Sequence, residues 1–394
     1  MKHVVIAGGG FAGVRLARKL RKEKNVQITL INESEDFRYS PALYRAATGF
    51  KVGTARIPLE WMLIDSDNVN VVCDKVAMID PDHRKFTLTS GSEISYDYAV
   101  CALGMVTTYF NIDGIADHAF GVKSVQEILT LKQHIHDSLE GKRDKKQNYV
   151  VIGAGPTGIE VAATLGMYVQ NVMKKHKIRD SHVEIYLVEA GPRILPQMNE
   201  HAGLKAEKEL KKRGVKILTN TKVTAETNLS LHTSNGNIAT HNVIWTAGAM
   251  NNPFFADNAG HFTVAERGKI KVNKHLQSHT NVYVAGDNAA TQFSGLAYIA
   301  VRHGNFIAKD IKNRIRGKKR KNYADPYPLQ VVPVGRISLF QYRKFSIGGR
   351  LVNIVRRVAD LVGYSDVLGP LKALTIWQNS ERLEDEWCNT CRLK

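Results

Sequence analysis

The chain has 394 residues, of which 43% are hydrophobic and 23% charged, with 31 glycines, 11 prolines and four cysteines. That composition is globular and the length suits two or three domains, which excludes collagen-like, coiled-coil and wholly disordered chains as well as a disulfide scaffold. The net charge of +18, from 55 Lys and Arg against 37 Asp and Glu, predicts attraction to something anionic: nucleic acid, a membrane surface or phosphorylated ligands.

Residues 2–7 (KHVVIA) are a short β-branched run that enters glycines directly. A strand starting at residue 2 leaves no room for a leader, so a cytoplasmic location is expected. Residues 11–22 have helical composition and 26–31 (VQITLI) read as a second strand. This is β–turn–α–β, the opening of a doubly wound parallel sheet. Within it, Gly8-Gly9-Gly10-Phe11-Ala12-Gly13 fits GxGxxG. Gly8 permits the tight turn, Gly10 lets backbone approach a pyrophosphate, and Gly13 lets helix and strand pack closely. The helix, opened by Phe11 and Ala12, then points its positive end at the anion. An acid commonly closes the second strand to hold ribose hydroxyls. Here the position is Asn32, followed by Glu33, and either can take that part.

The pattern returns 145 residues later in Gly153-Ala154-Gly155-Pro156-Thr157-Gly158, with strand before and helix after. That separation means two related domains, not a solenoid repeat. The following strand, 183–188, ends at Glu189. An acid there favours a free ribose 2′-hydroxyl and repels a 2′-phosphate, so NADH is preferred over NADPH, although Arg193 lies close enough to accommodate a phosphate. A late strand, 281–285, runs into Gly286-Asp287, an acid placed to return to flavin ribityl or phosphate groups. The first fingerprint is therefore assigned to a flavin and the second to a nicotinamide.

Beyond residue 325 the character changes. Prolines at 326, 328 and 333 indicate extended chain. Residues 351–362 (LVNIVRRVADLV) put Leu351, Ile354, Val355, Val358 and Val362 on one helical face, with Arg356, Arg357 and Asp360 away from it. After Gly369-Pro370 comes another helical stretch, 371–378. Most of the charge also lies late: residues 302–357 hold fifteen Lys and Arg against Asp310 and Asp325. No zinc-finger spacing or RNA-binding aromatic motif accompanies it, which sets nucleic acid aside. The histidines carry no metal-ligand spacing.

The fold class is thus α/β, with two Rossmann-like dinucleotide-binding domains and a basic C-terminal region carrying an amphipathic helix. The expected boundaries are 1–112 and 270–325 for a discontinuous flavin domain, 113–269 for an inserted nicotinamide domain, and 326–394 for the tail.

Tyr96-Asp97-Tyr98-Ala99-Val100-Cys101-Ala102-Leu103-Gly104 and 282–289 (VYVAGDNA) resemble the two later flavin contacts of flavoproteins with two dinucleotide folds. Tyr39-Ser40-Pro41-Ala42-Leu43-Tyr44 with Ala47-Thr48-Gly49 is similar to a segment of type II (alternative) NADH:quinone oxidoreductases. So are Gly155-Pro156-Thr157-Gly158-Ile159-Glu160, 188–196 (VEAGPRILP) and Ile244-Trp245-Thr246-Ala247-Gly248. The resemblance runs from residue 2 to about 315.

It implies non-covalent FAD on Gly8, Gly10, Phe11, Ala12, Gly13, Asn32, Glu33, Ala102, Gly104, Asp287 and Ala297. NADH would lie on Gly153, Gly155, Thr157, Gly158, Ile159, Glu160, Glu189, Ala247 and Gly248. Glu160 would stand near the nicotinamide–flavin junction, and hydride would pass from NADH to flavin and two electrons on to a quinone, without proton pumping. One stretch departs from the family: where it presents glutamines towards quinone, residues 296–304 read LAYIAVRHG. Tyr298, Arg302 and His303 stand there instead. Tyr can stack on a ring, and Arg or His can bond a carbonyl or supply a proton. They equally suit an enzyme with another acceptor.

Residues 30–60 contain no cysteine, and Cys73 and Cys101 stand singly, which argues against an ordinary disulfide reductase. Cys388-Asn389-Thr390-Cys391 is a lone CxxC, expected to be inert, with a redox dithiol as the minority alternative. The expectation is a FAD-dependent NADH dehydrogenase held peripherally on the cytoplasmic side of a membrane by residues 302–357 and the tail helix. Packing on the flavin domain or on a homodimer partner is the other use of that helix. The competing functions are a soluble NAD(P)H flavin reductase serving a small redox protein, and a flavin-based redox sensor with a basic partner-binding tail.

Overall fold

The computed structural model describes residues 1–64, 66–140, 146–178, 182–380 and 382–384. Residues 388–391, with the CxxC, lie outside them.

The first strand, Lys2–Ala7, pairs in parallel with Val26–Asn32 on one side and Tyr98–Cys101 on the other. The full sheet runs Gln277–His279, Val282–Val284, Tyr98–Cys101, Lys2–Ala7, Val26–Asn32, Val69–Cys73. Its central strand is buried on both faces, which is why it reads as an unbroken apolar run. Val4 and Ile6 point into the helical layer, Val5 and Ala7 into an antiparallel layer of Val76–Asp80, Lys85–Leu88 and Glu93–Ser95.

The second body repeats the plan. A parallel sheet of Val215–Leu218, His182–Val188, Lys146–Ile152 and Asn242–Trp245 carries the helix Pro156–Lys175 on one face. On the other lies a three-stranded layer, Val223–Thr227, Ser230–Thr233 and Gly236–Ala239. The α/β class with two Rossmann-like bodies and C-terminal helices is therefore as expected.

The chain crosses between the bodies twice, and the two crossings, Met105–Thr107 and Ala249–Asn251, pair antiparallel. The expected second boundary at residue 270 falls too late. Beyond Asn251, Phe254, Phe255 and Phe262 already fill the core of the first body, and Asn258 accepts from the Ile79 amide and donates to the Ala77 carbonyl. Short turns of four residues or fewer hold these aromatics, so no periodicity announced them.

The extended tail segment becomes a three-stranded sheet, Gln330–Val334, Ile337–Tyr342 and Phe345–Gly349. It leans on the second body, where the Asn199 amide donates to Gln341 Oε1 at 2.8 Å. The helix Val352–Leu368, longer than the expected stretch, lies on the first body: Tyr364 stacks on Tyr39 at 3.9 Å and donates to the Thr54 carbonyl. The tail thus clasps both bodies. Its other face carries the expected stripe outward, with Leu351 80% exposed and Ile354, Val355, Val358 and Val362 open beside Leu371 and Leu374 of the helix Pro370–Asn379. Among the described residues no helix is long and apolar enough to cross a membrane.

Two helices of the first body, Phe11–Leu20 and Ala297–Ile315, approach so closely that a Cβ on Gly304 would stand 2.5 Å from the Ala12 carbonyl oxygen. Gly304→Ala must push them apart and is expected to lower stability by ~1–3 kcal/mol, read as a shift in the denaturant midpoint.

Candidate functional site

The two fingerprints have the same geometry. Gly8 turns with φ +111° and Gly153 with φ +96°. A Cβ on Gly13 would lie 1.9 Å from the Gly8 carbonyl oxygen, and one on Gly158 1.8 Å from that of Gly153. These positions admit only glycine. A Cβ on Gly10 would meet nothing within 4 Å, and neither Gly10 nor Gly155 caps its helix with a side chain. Both helix N-termini are therefore without a side-chain cap, and the first opens onto free space at Gly10, while Gln197 Nε2 stands 3.9 Å from a Cβ built on Gly155.

The residues closing the second strands also correspond. Asn32 Oδ1 accepts from the Gly9 amide at 2.8 Å, and Glu189 Oε2 accepts from the Ala154 amide at 2.8 Å. Each clamps its glycine turn, a part not foreseen for either. Asn32 also donates to the Ser34 carbonyl, so of the two candidates for a ribose it is Glu33, exposed beside it, that is open to solvent. Arg193 is engaged by the carbonyls of Leu195, Pro196 and Met198.

Ala102 and Ala247 stand behind the first glycines of the two turns, against Gly8 and Gly153. Gly104 (φ +70°) and Gly248 (φ +71°) follow them in left-handed backbone. Asn288, buried and not foreseen, donates to the Gly104 carbonyl and accepts from its amide, joining that turn to Gly286-Asp287. Phe11 packs edge-on against Phe37, and Ala12 lies beside Gly286. Ile159 is core. Ala297 starts its helix without a side-chain cap.

The two bodies meet at Tyr44, on the helix Ser40–Ala46. Burial pushes its hydroxyl up, against the pull of Thr157, and the charges of Glu160 and Asp287 add to the rise. Residues from the two fingerprint regions and the late acid are thus gathered around one tyrosine. Burial also pushes the Glu160 carboxyl up to about 7, against the pull of Arg45 and Arg356, with Asp360 adding to the rise. Arg45 is 5% exposed and pairs with Asp360 Oδ2 at 3.0 Å; Arg356 reaches the same oxygen at 3.2 Å. The tail helix thus supplies a counterion to the site. Tyr44 and Arg45 were visible only as part of a family-like segment, and Asp360 only as a residue off the apolar stripe.

Tyr298 and Arg302 pair with each other on the surface: Arg302 Nη2 donates to the Tyr298 hydroxyl at 2.9 Å and its guanidinium lies over the ring. His303, one residue on, faces inward and is fully buried, with Nδ1 accepting from the Gly286 amide. The geometry gives it a structural part in place of the quinone contact expected of it. Cys73 and Cys101 end strands three spacings apart, roughly 14 Å, too far to pair.

Residues 2–304 match the family described as pyridine nucleotide-disulphide oxidoreductase. The chain belongs to that family. It is 29% identical over 346 residues to a type II NADH:quinone oxidoreductase of Staphylococcus epidermidis, covering 82% of this chain and 85% of that protein. The protein of the same name from Staphylococcus aureus is 29% identical over 345 residues, with the same coverage. Among solved structures, NDH2 from Plasmodium falciparum in complex with NADH superposes with a TM-score of 0.86 at 16% identity, covering 98% of this chain and all of that one. The sulfide:quinone oxidoreductase of Aquifex aeolicus gives 0.78 at 20%, covering 98% of each. These likenesses are of fold.

Two outcomes follow from the charges at the junction. Asp360→Asn leaves Arg45 buried without its counterion and is expected to cost ~3–5 kcal/mol, most of it restored in Arg45→Met/Asp360→Leu; chemical denaturation measures both. The folded chain holds the Glu160 proton more tightly than the unfolded chain, whose carboxyl titrates near 4.5. Stability should therefore fall as pH rises from about 4.5 through about 7, and Glu160→Gln should lack that fall in melts recorded across the range.

Proposed function

We propose that the chain is a FAD-dependent NADH dehydrogenase that passes electrons to a membrane quinone without pumping protons. The observation that carries this reading is the pair of uncapped glycine-turn helix starts whose bodies meet at Tyr44. The open space at Gly10 and the uncapped helix behind it fit the diphosphate of FAD, and the partly buried carboxylate of Asp287 suits the hydroxyls of a ribityl chain. When bound, FAD supplies a ring that accepts hydride and releases electrons.

The residues of the chain bind, orient and exclude water. On the first body, Gly8, Gly10, Phe11, Ala12 and Gly13 form the diphosphate turn, Glu33 or Asn32 reaches the ribose, and Ala102, Gly104, Asp287 and Ala297 border the rest. On the second, Gly153, Gly155, Thr157, Gly158 and Ile159 open the helix to NADH, with Ala247 and Gly248 alongside. Glu189 places a negative charge where a 2′-phosphate would lie, and the carbonyls around Arg193 keep its cation from offsetting that charge. NADH is thus preferred over NADPH. Glu160, buried, and Tyr44, partly buried, lie where the bodies meet, and Glu160 holds a proton there near neutrality.

For the acceptor, Tyr298 offers a ring face, 38% exposed, and Arg302 a cation beside it. The names of the Staphylococcus relatives favour a quinone over a redox protein. The exposed apolar stripe of the tail, with Arg343, Lys344 and Arg350 exposed next to Phe345 and Leu351, supports peripheral attachment to anionic lipid on the cytoplasmic side. A second copy covering the same stripe is the alternative outcome.

Anaerobic NADH is expected to bleach the purified flavoprotein, and ubiquinone or menaquinone analogues to restore its colour. Bleaching restored only by a ferredoxin-like protein would replace the quinone reading, and no bleaching would overturn the dehydrogenase. Arg302→Ala should slow reoxidation by quinone ~tenfold or more, the loss of a charge-assisted bond, and leave reduction by NADH unchanged in stopped-flow traces. Ile354→Asp/Val358→Asp should abolish flotation of the full chain with anionic vesicles; retained flotation would sink the membrane assignment.

A further inference from the structure

Behind the Gly286–Asp287 turn lies a buried group of side chains that the proposed reaction does not use. His303 has no exposure to solvent. Its Nδ1 accepts from the Gly286 amide at 2.9 Å, so that nitrogen carries no proton. The proton is therefore on Nε2, which lies 3.5 Å from Asp325 Oδ1 and 3.5 Å from Thr291 Oγ1. Asp325 is buried as well: Oδ2 accepts from the Phe293 amide at 2.8 Å and Oδ1 from the Tyr323 hydroxyl at 2.7 Å. Burial works against its charge, but the bonds from His303, Phe293, Tyr323 and Thr291 hold its carboxyl well below the usual range. The Tyr323 ring closes the group edge-on against the imidazole at 4.9 Å.

The side-chain bonds that His303 and Asp325 make outside the group run to one loop. His303 fixes its start at Gly286, and Asp325 fixes Phe293 near its end. Gly286 sits in left-handed backbone, φ +66°, wedged between Ala12 and Ala300. Asp287 follows, its carboxyl pushed up by burial against the pull of Lys269 and the Gly295 amide. A partly buried carboxylate held in that way is suited to hydroxyl donors from a ligand.

We propose that His303, backed by Asp325, is a positioning residue that holds the Gly286–Asp287 turn in the geometry in which Asp287 meets the flavin. This rests on the reading that FAD lies on the first fingerprint. A lone imidazole could take either tautomer. The Gly286 amide on one side and the Asp325 anion on the other select one, and the turn inherits that order.

The chemistry suggests its own control. Glutamine offers an amide oxygen to accept from Gly286 and an amide NH₂ to donate to Asp325, reproducing both bonds; leucine fills the space and makes neither. We expect His303→Leu to weaken FAD binding to the full-length apoprotein ~tenfold or more, as loss of one bond to a buried amide does. His303→Gln should remain within ~threefold of wild type on the same scale, and Asp325→Asn should fall between. FAD titrations followed by quenching of flavin fluorescence give these values. NADH quenching on the second body reports whether each apoprotein has folded.

Leucine and glutamine variants that bind FAD equally, whether tightly or weakly, would overturn the proposal, because a packing role does not distinguish them. Should His303→Leu fail to fold, the comparison of Asp325→Asn with His303→Gln decides: wild-type affinity in both overturns the proposal, and weakening confined to Asp325→Asn supports it. A wild-type chain that takes up no FAD overturns the flavin reading and this proposal together, whereas failure of quinone to reoxidise the enzyme leaves the titrations, and the proposal, standing.

Discussion

The constraint on which the rest depends is backbone contact at two glycine turns. Gly13 and Gly158 bring helices against the strands that precede them, with no room for a Cβ between. That contact points each helix start outward, uncapped, at the carboxyl end of an interior strand of a parallel sheet. The anion-binding character of the site comes from peptide N–H groups held in that position more than from any cationic side chain. Asn32 and Glu189 maintain it by accepting from the second residue of each turn, which explains how Asn can stand where an acid is usual: the clamp needs an oxygen, not a charge.

Two short crossings join the bodies, and the helix Ser40–Ala46 of the first lies on Pro156–Lys175 of the second, where Thr164 donates to Thr48 at 2.9 Å. The tail restrains them. Its sheet meets the second body through Gln341, and its helix meets the first through Tyr364 and Asp360. A further link comes from Glu384, which accepts from the Val52 amide and lies 3.7 Å from buried Lys132 on the helix Val125–Glu140. Asp360 is thus both a fastening of the tail and a charge beside Glu160. Displacing the tail would disturb the ionisation of the junction as well as the angle between the bodies.

Both turns and the strands on either side of them were legible in the sequence because each depends on neighbours in the chain, an apolar run, then glycines, then a helix; the edge strands Val69–Cys73 and Val215–Leu218 were not. The antiparallel layers, with strands of three to five residues, carry no comparable signal. The aromatic group at Phe254, Phe255 and Phe262 was hidden for the same reason. At the site, the residues found from sequence are those that shape backbone. Those missed, such as Tyr44, Arg45, Asn288 and Asp360, act through partners up to 315 positions away. His303 shows the limit most clearly. Its position opposite the family's glutamines was legible, but the direction of its side chain is set by Gly286 and Asp325, which only folding brings beside it.

The positive charge also changes meaning once partners are counted. Part of the basic block between residues 302 and 357 is paired within the protein: Lys312 and Arg316 pair with Glu23, Arg320 with Asp310, and Arg356 with Asp360. Arg314 is held by the Thr280 carbonyl and Asn281. These cations fasten the late helix and the tail to the first body, and they are poor candidates for a partner. Three of the exposed ones, Arg343, Lys344 and Arg350, lie in the strand turn and at the start of the tail helix, interleaved with exposed Phe345, Ile347 and Leu351, whereas exposed Lys318, Lys319 and Lys321 follow the late helix in a polar stretch. Cations set among apolar side chains suit a surface with anionic headgroups above hydrocarbon better than a polyanion, which would leave the apolar residues uncovered.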